Sequence, residues 1–217
     1  MSELTKTSRH LQRPEGAGAA AAATLLVVAI IGLCAGVATS WLQGELSGGW
    51  SVLADSGAVW TVVAFGLAAV CAGPRWAAVT AGTLALLCEV AGYYVVAAAS
   101  QGIAVTVNEQ VLWTVAALWI GPLAGVAAYY WRRGSAVQSV LSGVAVAGLV
   151  AGEGLHLVRR AGRLDAGWGE LVAAAALAAV VLATSRTAWR YRGAALVAGG
   201  AVALVTYAVY GQTILTA

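Results

Sequence analysis

Seven apolar stretches follow one another along this chain, most of them long enough to cross a bilayer, with little polar chain between them. A spanning helix needs about 20 consecutive, mostly apolar residues. Inside hydrocarbon every backbone N–H and C=O must find its partner within the structure, which leaves helices and closed barrels. Long continuous apolar runs without strand-like alternation point to the helix. The runs are Ala17–Trp41, Trp50–Ala72, Trp76–Ala99, Val111–Trp131, Ala136–Val158, Trp168–Ser185 and Gly193–Leu215, with the sixth the shortest. They predict an all-α integral membrane bundle of about seven transmembrane helices over residues 17–217. Residues 1–16 are expected to form a disordered cytoplasmic tail. The first run is too long for a cleaved signal peptide and is expected to be a retained helix.

Composition agrees. Of the 217 residues 61% are hydrophobic and 10% charged, against about a quarter charged in a soluble domain. The 27 glycines and abundant alanine suit a bundle whose backbones approach closely. Gly32 and Gly36 form a GxxxG pattern, which predicts close packing inside the bundle or between copies. Cys34, Cys71 and Cys88 have no CxxC spacing and read as small apolar side chains.

Charge sets the expected orientation. Lys6, Arg9, Arg13, Arg75, Arg132, Arg133, Arg186, Arg190 and Arg192 fall on one side of the seven-helix scheme, against Arg159, Arg160 and Arg163 on the other. Nine against three predicts a cytoplasmic N-terminus and an extracytoplasmic C-terminus in the cell membrane. The three-arginine loop is the exception, either snorkelling or touching an anionic group. A net charge of +3, dispersed between apolar runs, excludes a nucleic-acid partner. Nucleotide-binding, zinc-protease and serine-hydrolase motifs are absent, as are the acidic motifs DDxxD and DxDD.

Three acids, Asp55, Glu89 and Glu153, lie well inside spanning runs, where ionisable groups are costly and functional by default. At about 1.5 Å per residue they sit roughly 7–15 Å below the same face. Glu170 falls at the edge of the sixth run, where it is expected to reach water. The same half holds Trp60, Tyr93, Trp113, Trp119, Tyr207 and Tyr210. Tyr93 shares a helix face with Glu89. Trp41, Trp50 and Trp168 read as an interfacial belt. Glu153 and His156 have the Glu-x-x-His spacing of di-iron bundles, but with only two histidines in the chain no metal is expected, and His156 is expected to tune Glu153.

An acid in an apolar cavity keeps its proton near neutral pH, because the charged form is disfavoured there. Aromatic faces stabilise a nearby cation, and a dry pocket shields that cation from water. These are the parts of a proton-initiated carbocation reaction needing neither metal nor other cofactor. Trp50-Ser-Val-Leu-Ala-Asp55-Ser-Gly-Ala-Val-Trp60, Glu89-Val-Ala-Gly-Tyr93-Tyr94 and Glu153 carry a resemblance of plan over the whole chain. In that plan the chain resembles the small bacterial membrane-bound terpene cyclases of the drimentine type, which cyclise a farnesylated indole diketopiperazine. The resemblance implies a terpene cyclase of secondary metabolite biosynthesis, with Asp55, Glu89 and Glu153 as acids and bases. Trp60, Tyr93, Trp113, Trp119, His156, Tyr207 and Tyr210 would line the substrate. Its partners would be a lipophilic prenylated small molecule, membrane lipid and an upstream prenyltransferase. Two other readings stand beside it: a substrate-binding component of a transporter, and a non-catalytic membrane protein.

Overall fold

The computed structural model describes residues 17–71, 73–100, 106–184 and 189–213. The expected tail, residues 1–16, lies outside the described residues, as do Ala72, Ser185 and Leu215 at the ends of the second, sixth and seventh expected segments, and Arg186.

Eight helices account for the described chain: α1 (Ala17–Glu45), α2 (Gly49–Ala54), α3 (Gly57–Val70), α4 (Arg75–Ser100), α5 (Val107–Arg133), α6 (Ala136–Arg159), α7 (Leu164–Thr184) and α8 (Trp189–Thr213). No strand occurs among the described residues. Six helices, all but α2 and α3, are long and apolar enough to cross a membrane. The protein is a membrane-embedded all-α bundle.

The second apolar run is not one cylinder. It divides at Asp55 and Ser56 into the six-residue α2 and the 14-residue α3. The cause is local: Ser56 adopts an extended conformation and its hydroxyl accepts the Val59 N–H at 3.2 Å, an N-cap that starts a new helix. At about 1.5 Å per residue α3 is roughly 21 Å long, short of the ~30 Å hydrocarbon thickness. Other helix starts follow the same chemistry. Thr106 with Glu109 caps α5, and Ser135 with Gln138 caps α6, each as a reciprocal capping box.

α4 lies between α1 and α5, α6 lies between α7 and α8, and α3 packs on α4, α5 and α6. Glycines set the close approaches. Gly32 and Gly36 back onto the backbone of Ala85 and Glu89, so the GxxxG pattern joins α1 to α4 inside the bundle. Gly82, Gly121 and Gly125 do the same between α4 and α5, and Gly148 and Gly199 between α6 and α8. The core between them is mostly alanine, with Val28, Trp60, Phe65 and Leu86 filling the wider gaps. The outward faces carry Leu26, Ile30, Leu118, Leu123 and Val197, side chains that suit contact with lipid.

The two ends differ. At one, Arg75 donates to the Tyr130 hydroxyl and Arg133 donates to the Cys71 carbonyl, each at 3.3 Å. At the other lie Gln43, Asp55, Tyr93, Glu153 and Tyr210, joined by the contacts described next.

Candidate functional site

The helix break creates the site. A helix that begins inside a bundle presents unpaired backbone N–H groups and the positive end of its dipole. Glu153 of α6 answers both. Its Oε2 accepts the Ala58 N–H at 2.7 Å and the Tyr210 hydroxyl at 2.7 Å. Glu153 is thus a carboxyl group held at the start of α3 by donors from two other helices. The close fit relies on Gly57, where an added Cβ would stand 2.7 Å from the Tyr210 hydroxyl and 3.3 Å from Trp113.

Asp55 closes the other side. Gln43 Nε2 donates to Asp55 Oδ2 at 3.1 Å, while the Tyr93 hydroxyl donates to Gln43 Oε1 and also lies within reach of Asp55. When Asp55 carries a proton, each member of this triangle donates once and accepts once. Beside it Trp60 tilts against Tyr93 and Trp113, with ring centroids 5.3 and 5.7 Å apart, and Tyr93 meets Tyr94 edge-on. Such offset contacts are the favoured aromatic arrangement.

Between the two acids is a cavity of about 370 Å³, lined by Gln43, Ser51, Asp55, Trp113, Glu153, His156, Arg163 and Tyr210 among others. That volume lies in the range of small-molecule sites, about 300–1,000 Å³. A second hollow, about 240 Å³ between α6, α7 and α8, is walled by alanine, glycine, valine and leucine alone, so it offers no reactive group.

Asp55 and Glu153 share the cavity with Trp113, His156 and Tyr210, and Trp60 and Tyr93 stand behind that wall. His156 lies against Tyr210 at 5.7 Å, and its Nδ1 has no hydrogen-bond partner. Tyr207 is occupied elsewhere: Arg160 Nε donates to its hydroxyl at 3.2 Å, and the guanidinium sits 5.1 Å from its ring. Trp119 is 73% exposed on the outward face of α5 and lines neither of these two cavities. Glu89 is 1% exposed, does not line the cavity, and neither carboxyl oxygen has a hydrogen-bond partner. Among the described residues no group of three or more His, Cys, Asp or Glu side chains is placed to hold a metal ion.

Residues 15–215 match the family of unknown function DUF6518. The chain belongs to that family. The match spans all eight helices, so the DUF6518 unit and the bundle coincide. Comparison with curated proteins yields no match. Comparison with solved structures yields none either.

Sequence reasoning missed two residues of this DUF6518 site, Gln43 and Ser56, and misplaced a third acid near it. Gln43, in the last turns of α1, carried no charge to draw notice. Ser56 was readable as an N-cap ahead of Gly57. Glu170 does not reach water, contrary to expectation. It is 2% exposed, because α7 begins at Leu164 and Glu170 faces the glycine surface of α6 at Gly154.

Proposed function

We propose that this chain is a membrane-bound terpene cyclase that folds a farnesyl or similar prenyl chain carried on an indole or diketopiperazine-type compound. The observation that carries the reading is the placement of Asp55 and Glu153 on one cavity beside Trp113 and Tyr210. In the proposed reaction the Asp55 proton adds to an alkene carbon, forming a C–H bond and leaving a tertiary cation. The next alkene attacks that cation, and the ring closes. Glu153 then takes a proton from a neighbouring carbon, and the C–H electrons form the new alkene. The product is an isomer of the substrate; each turnover moves one proton from Asp55 to Glu153, and exchange with water at the acid-bearing end returns Glu153 to its charged form and Asp55 to its protonated form before the next. Tyr93 and Gln43 hold the Asp55 carboxyl in place, and the aromatic faces favour the cation. Gln43, Ser51, His156 and Arg163 suit a polar head group.

We place the chain in the cell membrane with a cytoplasmic N-terminus and the acid-bearing end on the extracytoplasmic side. Arg75, Arg132, Arg133 and Arg192, all at the opposite end, support that orientation, and labelling of single cysteines from each side of sealed cells tests it.

The test of function is conversion of a farnesylated indole substrate in membranes containing only this protein. Asp55→Asn and Glu153→Gln are expected to abolish product at unchanged protein level. Full conversion by both variants would overturn the assignment. The polar cavity wall also favours a second reading, a substrate-binding transport component. That reading expects tight binding of a water-soluble ligand and no product.

A further inference from the structure

A second carboxyl group stands behind Glu153. Glu170 of α7 lies against α6 at Gly154, the residue next to Glu153 in the chain. The approach is made by glycine: a Cβ at Gly154 would stand 3.1 Å from the Glu170 Cβ and 3.0 Å from the Gly167 carbonyl. Glu170 is 2% exposed and does not line the cavity.

The hydrogen bonds divide unequally between the two. Glu153 receives the Ala58 N–H and the Tyr210 hydroxyl on one oxygen and lies at the positive end of α3. Neither oxygen of Glu170 has a hydrogen-bond partner of good geometry. Donors favour the charged form of a carboxyl group, and two adjacent carboxylates in an apolar surround do not both ionise. An unpartnered carboxylate buried this deeply would be far more costly than a neutral acid.

We propose that Glu153 and Glu170 form a pair holding one proton, with the negative charge on Glu153 and the proton on Glu170. Glu170 is then a positioning residue. By staying neutral it lets Glu153 keep its charge at the cavity wall, so the site carries a fixed anion suited to a cationic ligand or intermediate. Its role in turnover rests on the proposed cyclisation, but the charge assignment does not.

Infrared difference spectra of the substrate-free protein in lipid nanodiscs test the charge assignment. Glu170→Gln is expected to remove a protonated carboxylic acid C=O band, and Glu153→Gln a carboxylate band. The reverse pattern in either variant overturns the proposal, and each variant decides alone if the other does not fold. Conversion is read separately: Glu170→Gln, a neutral mimic of the protonated acid, keeps product formation while Glu153→Gln loses it. Correct bands without any conversion would refute the cyclase reading and leave the pair intact.

Discussion

Removing the Tyr210 hydroxyl measures how much charge Glu153 carries. Tyr210→Phe deletes one donor at 2.7 Å and leaves the ring against His156. A hydrogen bond to a charged group contributes about 1.5–3 kcal/mol. Interhelical hydrogen bonds measured in a membrane protein average about 0.6 kcal/mol and reach about 1.7. Glu153→Gln keeps an acceptor but removes the charge. A double-mutant cycle between the two positions therefore isolates the charge-assisted share, about 1–2 kcal/mol from the difference between those ranges. The assay is reversible unfolding in mixed micelles, comparing wild type, both single variants and the double. If Tyr210→Phe costs the same in both backgrounds, to within about 0.3 kcal/mol, Glu153 is not an ionised acceptor and the reasoning fails.

Gly36→Ala drives a methyl group into the Glu89 backbone and is expected to destabilise the bundle by about 1–3 kcal/mol. Gly66→Ala, with nothing near the new methyl, is expected to be neutral or stabilising by up to about 1 kcal/mol; unfolding midpoints compare the two. Trp60→Ala should cost about 3–5 kcal/mol in the same assay, whereas Trp119→Ala, on the outward face, should leave stability and conversion unchanged. Glu89→Gln is expected to keep conversion, because Glu89 is outside the cavity; loss of product at unchanged protein level would bring Glu89 back among the reacting groups.

Much of the fold was legible because bilayer thickness sets a length that a sequence either meets or does not. The limits of α4 and α6 follow from their apolar runs to within a residue, whereas α5 starts at Val107, four residues ahead of its run, because Thr106 and Glu109 cap it there. The break in the second run was less visible, since Ala54-Asp55-Ser56-Gly57 is a small polar interruption in an otherwise apolar stretch. Its Ser-Gly pair was nonetheless a helix-start signal. The site was partly legible. Depth along each helix brought out Asp55 and Glu153, but depth alone does not give the rotation of a helix about its axis. Trp119 and Glu89 show the difference: both lie in the right half, yet one turns outward and the other is buried away from the cavity. Glu170 was hidden by a helix start four residues earlier than its apolar run indicated.

The cap on α3 also fixes an order of assembly. Ala58 and its acceptor Glu153 are 95 residues apart in the chain, so α3 is made and inserted well before the group that completes its first turn. Until α6 arrives, that turn has only Ser56 to answer its open N–H groups. Tyr210, in α8, comes later still. The acid-bearing end is therefore incomplete until α8 has been made, and chains cut short before α8 hold Glu153 without its Tyr210 donor.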